Sequence, residues 1–211
     1  MKKMNLPNKL TVMRLCLVPV IMLVGMLPVI PFYVSCAVCA ALFIITAFTD
    51  MLDGKIARKH GLVTDFGKFL DPVADKFMVI GTLFIILFKG EFSHLRVLMI
   101  FTLIIIVFRE LAVTSMRLVV STGEGIVVAA NNLGKIKTVA QIVFISTVFI
   151  EPILMLGVNK LMELAGVTAP SWLTPTFVPI TWATMAFTVV MTLWSGINYI
   201  AAYWKYLDPE K

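Results

Sequence analysis

A chain of 211 residues, 60% of them hydrophobic, with a mean hydropathy of +0.97, is too apolar for a soluble domain. The composition predicts one all-α, polytopic membrane bundle. A net charge of +6 in so apolar a chain points to anionic lipid headgroups and phosphate-bearing substrates, and not to nucleic acid.

Residues 1–14 are basic and mildly amphipathic, with Leu10, Val12 and Met13 set against Lys2, Lys3 and Lys9. They are expected to form a short interfacial helix before the first span. Pro28, Pro31 and Phe32 fit a membrane turn better than the small-residue cleavage site of a signal peptide. Asn8, Thr11 and Arg14 recur at helical spacing, so they either face a site or anchor the chain at the interface.

Six spans are predicted, over about residues 10–27, 32–52, 69–88, 95–118, 136–158 and 177–203, each long enough to cross roughly 30 Å of hydrocarbon. Pro19 is expected to kink the first. Pro72 either opens the third or interrupts a helix begun near Asp65. Residues 159–175 read as a short interfacial helix followed by a Pro-rich turn. Cys36 and Cys39 lie in an apolar span, where their spacing reflects packing and not zinc or redox chemistry. His60 and His94 lack metal-ligand company, Trp172, Trp182, Trp194 and Trp204 read as interface anchors, and Glu151 has no role legible in the sequence. With the N-terminus cytoplasmic, only Lys89, Arg96 and Lys160 of the 18 lysines and arginines fall on the outer side. The positive-inside rule then predicts a cell-membrane protein with both termini and its charged inter-helix segments in the cytoplasm.

Residues 50–75, between the second and third spans, hold five of the chain's 12 acids. Asp50 and Asp53 are three apart and Asp71 and Asp75 four apart, so each pair shares a helix face. Four carboxylates converging from two helices suit one or two hard cations that bridge to substrate phosphates. Gly54, Ala57 and Gly67 keep the surface low for a bulky ligand, and Arg58 is placed to hold phosphate. Asp65 has no partner at useful spacing and reads as a solvated loop residue.

A second polar group lies further on. Arg109 and Glu110 fall within the fourth span, Arg117 is eight residues after Arg109 and close to its face, and Lys135 and Lys137 open the fifth. Charge inside a span faces a polar cavity or a partner. These cations either form a pocket for a second phosphorylated substrate or serve structurally, Arg109 paired to an acid and the lysines as anchors.

The pattern D-x2-D-G-x2-A-R-x8-G-x3-D-x3-D is met at Asp50, Asp53, Gly54, Ala57, Arg58, Gly67, Asp71 and Asp75. It resembles the signature of the CDP-alcohol phosphotransferases, membrane enzymes of phospholipid synthesis. The runs N-L-P-N-K-L-T-x2-R, R-E-L-A-V-T-S-M-R and N-L-G-K-I-K-T-V-A-Q resemble the bacterial phosphatidylglycerophosphate synthase branch. The resemblance implies transfer of a phosphatidyl group from CDP-diacylglycerol to sn-glycerol 3-phosphate, giving phosphatidylglycerol phosphate and CMP. It implies magnesium or manganese on Asp50, Asp53, Asp71 and Asp75, with Asp75 also the general base. Asp53, Gly54, Ala57, Arg58 and Gly67 would meet the CDP moiety, and Arg109, Arg117, Lys135 and Lys137 the acceptor phosphate. A homodimer is implied as well. Sister branches that use inositol phosphate, serine or phosphatidylglycerol remain open, as does, from another class, a cation transporter.

Overall fold

The structure is a computed structural model that describes residues 4–59, 64–123, 132–168, 170 and 178–206, without the side chains of Asp53, residues 55–59, Lys68, residues 121–123 and Lys205. Six long helices carry the fold: α1 Leu6–Met26, α2 Phe32–Lys59, α3 Asp65–Phe88, α4 Arg96–Gly123, α5 Asn132–Leu164 and α6 Pro179–Tyr203. Short 3-10 turns at Gly90–Leu95 and Trp204–Tyr206 lead into α4 and out of α6. Among the described residues there is no strand.

The helix ends follow from local chemistry. Asn5 accepts the Asn8 N–H at 3.1 Å and caps α1, with Pro7 in its first turn. Thr64 does the same for α3, accepting the Gly67 N–H at 3.0 Å. At the start of α6 the carboxylate of Glu151 on α5 takes the Ile180 and Thr181 N–H groups at 2.8 and 2.7 Å. This supplies the role that the sequence did not disclose for Glu151. α5 ends in a Schellman motif: Gly166, at φ 68°, donates to the Glu163 carbonyl and Val167 donates to that of Met162.

The six helices close a ring in the order α1–α2–α5–α6–α4–α3, with α3 also touching α5 across it. Inside lie Val18 and Ile21, Cys39 and Phe43, Met78 and Leu83, Met99 and Ile106, and Phe144, Val148 and Phe149. Lipid tails are as apolar as these side chains, so close packing and not dehydration must hold the ring. Glycine makes that approach possible: a Cβ on Gly25 would lie 2.4 Å from Ile85, and one on Gly81 would lie 2.8 Å from Val18. Phe84, Phe101, Phe108 and Ile197 point outward, as a lipid-facing surface requires. Cys36 and Cys39 are buried free thiols, in keeping with a packing role.

Five of the helical segments are long and apolar enough to cross a membrane. α3 is not among them, because Asp71, Asp75 and Lys76 sit on its first half. Its 24 residues still span about 36 Å at 1.5 Å per residue. The helix starts at Asp65, so Pro72 lies inside it and does not open it. α1 is unbroken from Leu6, so the first span begins within the segment expected to lie along the interface. Likewise α5 continues through residues 159–164, where a separate short helix was expected.

Candidate active site

One end of the ring holds a cavity of about 780 Å³, walled by α2, α3, α4, α5 and Tyr199 of α6. Asp50, Asp71 and Asp75 line one side of it, and Arg109, Arg117, Lys135 and Lys137 line the other. Exposed Phe48 and Met51 of α2 and Val139 and Val143 of α5 also line it, so the polar interior has an exposed apolar rim. The two polar groups separated in sequence thus share one chamber.

The acidic wall is set by α1. Asn8, Thr11 and Arg14 form one buried stripe turned toward α2 and α3. Arg14 is 1% exposed and its guanidinium pairs with Asp50. The Thr11 hydroxyl donates to Asp71 Oδ1 at 2.7 Å, and Asn8 Nδ2 donates to Thr64 Oγ1 at 2.9 Å. The stripe is packed inside the bundle against the residues that carry the acids, and none of its three side chains lines the cavity itself. Gly67 packs against the same stripe, since a Cβ there would stand 2.9 Å from Asn8 Oδ1. That contact gives Gly67 a helix-packing reason, and neither it nor Gly54 lines the cavity. The side chains of Asp53, Ala57 and Arg58 lie outside the described residues, as do His60 and Trp172.

Asp75 is half-buried and also borders a narrow crevice with Lys76, Glu110, Lys137 and Gln141. It therefore stands where the acidic wall meets the cationic one. The donor set on the acidic wall is carboxylate oxygen, which suits a hard divalent cation. Among the described residues no three His, Cys, Asp or Glu side chains group closely enough to hold a metal ion. The four-acid set expected from the sequence includes Asp53, whose side chain is not described.

The four cations differ in their company. Glu110 accepts from Arg109 at 3.2 Å and also pairs with buried Lys137. Arg109 also donates to Ser195 Oγ at 2.6 Å. Arg109 is thus paired to an acid, as the structural half of its alternative has it, and it also lines the cavity. Arg117 and Lys135 are exposed on the cavity side, and among the described residues no carboxylate pairs with them. Arg117 instead lies 4.9 Å from the centroid of the Tyr199 ring and donates to its phenol oxygen.

Sequence reasoning passed over Tyr199, Ser195 and Gln141. A signal existed for the first two. Thr181, Thr188, Thr192, Ser195 and Tyr199 are all buried and repeat at helical spacing, so α6 carries a polar stripe through an otherwise apolar span. Gln141 follows Lys137 by four residues on the same face of α5.

Fold and cavity define a class: a polytopic membrane protein with a chamber of opposed carboxylates and cations, edged by exposed apolar residues. The CDP-alcohol phosphatidyltransferase family matches residues 4–194, and the chain belongs to that family. It is 40% identical to the CDP-diacylglycerol–glycerol-3-phosphate 3-phosphatidyltransferase of Bacillus subtilis (strain 168), across 98% of each chain. Enzymes of the same name from Yersinia enterocolitica and Haemophilus influenzae are each 32% identical. Those alignments cover 98% and 94% of this chain and 100% and 92% of theirs. The protein is thus a membrane transferase, and the alternative of a cation transporter falls away.

Proposed function

We propose that the protein transfers the phosphatidyl group of CDP-diacylglycerol to sn-glycerol 3-phosphate, releasing CMP. The observation that carries this reading is one cavity with acids on one wall and cations on the other, two of which, Arg117 and Lys135, meet no carboxylate among the described residues. A nucleotide-linked lipid needs a site where its pyrophosphate meets polar groups while its tails stay in the bilayer. The apolar rim of Phe48, Met51, Val139 and Val143 suits the tails. An acceptor that carries a phosphate dianion needs cations, and Arg117 and Lys135 are the ones not already tied to Glu110.

In this reading Asp50, Asp53, Asp71 and Asp75 would hold magnesium or manganese, with Gly54, Ala57 and Arg58 beside the CDP moiety. The ion would neutralise pyrophosphate charge and stabilise charge that develops as the leaving group departs. Arg14 and Thr11 orient Asp50 and Asp71 from behind. Asp75 takes the proton from the 1-hydroxyl of the acceptor as that oxygen bonds to the phosphatidyl phosphorus. The bond from phosphorus to the CMP oxygen breaks in the same displacement. Arg117 and Lys135 hold the acceptor phosphate, with Arg109 and Lys137 adding a fixed field shared with Glu110. The charge bias between helix ends supports a cytoplasmic cavity, and the family resemblance supports a homodimer.

Two measurements test the reading. Lys135→Ala is expected to raise the KM for glycerol 3-phosphate about tenfold, in line with loss of a charge-assisted bond, and to spare the KM for CDP-diacylglycerol. Equal effects on both substrates would make Lys135 a structural anchor. Chelation with EDTA is expected to stop CMP release, with added magnesium or manganese restoring it. Full turnover in EDTA would remove the ion from the account.

A further inference from the structure

We infer that Tyr199 is a positioning residue that sets acceptor preference by holding Arg117 in register with Arg109 and Lys135. The inference rests on the reading that the cationic wall receives the acceptor's phosphate. Tyr199 is 3% exposed, stands in the last turns of α6 and lines the cavity. Its ring lies beside both guanidinium groups, 5.8 Å from that of Arg109 and 4.9 Å from that of Arg117. Its phenol oxygen accepts a hydrogen bond from Arg117 Nη2.

The two arginines need this ring unequally. Arg109 is buried and is also held by Glu110 and Ser195. Arg117 is exposed and reaches across from α4, with no carboxylate partner among the described residues. A long side chain left to itself samples many rotamers, and ordering one on a ligand costs binding free energy. The phenol bond and the ring face restrict Arg117 before the ligand arrives. The flat ring also receives each cation on its π system, which favours two like charges at one site. A phosphate dianion then meets a guanidinium already held in the cavity that Lys135 also lines. An acceptor without a phosphate gains nothing from this arrangement, so the ring contributes to choice between acceptors and not to handling of the nucleotide.

The test uses the full chain in detergent or vesicles, with CMP release measured against each substrate in turn. Tyr199→Phe keeps the ring and removes only the oxygen that Arg117 grips. The KM for glycerol 3-phosphate is expected to rise about three- to tenfold, less than the roughly ten- to hundredfold of a hydrogen bond made directly to a charged group, because the phenol acts on the acceptor only through Arg117. The KM for CDP-diacylglycerol should hold within about twofold, and kcat should fall far less than the acceptor KM rises. Tyr199→Leu, which removes the ring too, should weaken acceptor binding further. In an Arg117→Ala background, Tyr199→Phe should change nothing more, because the two act as one unit. Two results would overturn the inference: additive effects in the double variant, or an unchanged acceptor KM in Tyr199→Phe while Arg117→Ala raises it. If Arg117→Ala itself leaves the acceptor KM unmoved, the phosphate reading of the cationic wall fails first and takes the inference with it.

Discussion

Asp75 is the residue at which the two halves of the cavity touch. It borders the crevice shared with Lys76, Glu110, Lys137 and Gln141 while sharing the cavity with Asp50 and Asp71. The proposed general base has to stand between the cations proposed for the acceptor and the acids proposed for the nucleotide end, and Asp75 occupies that junction. Asp75→Asn keeps the size and removes the basic oxygen. We predict a loss of roughly 10²–10⁴-fold in single-turnover CMP release, the usual contribution of a general base, and near-normal turnover would exclude Asp75 from both its roles. Glu110 shows why residue-scale reading of a sequence stops short. Its neighbour Arg109 was visible beside it, but Lys137 lies 27 positions away on another helix. The ion pair that ties down two of the four cavity cations exists only once α4 and α5 have docked. Spacing within a helix displayed the Asn8, Thr11 and Arg14 stripe, and it left open what that stripe faced until Thr64, Asp71 and Asp50 came against it.

Among the elements, α5 and α6 show how one carboxylate can serve the scaffold alone. Glu151 accepts two backbone N–H groups at the start of α6, satisfying donors that a helix leaves without partners in its first turn. Those donors carry no sequence signature, which is why an acid buried to 1% exposure read only as an unpaired charge. It stands 14 residues beyond Lys137 on α5, about 21 Å along the axis, so the cap and the chemistry are separable. Glu151→Ala is expected to destabilise the bundle by about 1–2 kcal/mol, as lost caps do. The midpoint of thermal unfolding in detergent should fall, with activity per folded molecule preserved. Activity lost without any change in that midpoint would place Glu151 in the reaction after all. The helices themselves were legible from apolar runs, since each span is bounded by prolines, charges or both. Their ends were less so. The starts of α1 and α3 depend on the side-chain caps of Asn5 and Thr64, and α5 runs on until Gly166 turns it.

At the scale of the whole molecule, ring closure is what turns two motifs into one site. The acids come from α2 and α3 and the cations from α4 and α5, and the order α1–α2–α5–α6–α4–α3 sets these pairs across a common chamber. Hydropathy cannot convey that order, because every span is mainly apolar on its packed side as on its exposed side, and the few buried polar stripes do not name their partners. The acidic motif could be recognised from spacing because its residues sit on two successive helices joined by a short connection. The cationic wall could be suspected from charge within a span, and its sorting into cations that Glu110 ties and cations that meet no carboxylate among the described residues required the fold. The account therefore stands or falls on whether the cationic wall selects an acceptor bearing a phosphate. The most direct measurement is CMP release from CDP-diacylglycerol by the purified full chain, with sn-glycerol 3-phosphate, glycerol, serine, inositol phosphate and phosphatidylglycerol offered in turn at equal concentration. The account predicts rapid release with sn-glycerol 3-phosphate and little with glycerol or serine, which lack the group that Arg117 and Lys135 would bind. Release with glycerol or serine as fast as with glycerol 3-phosphate would contradict it.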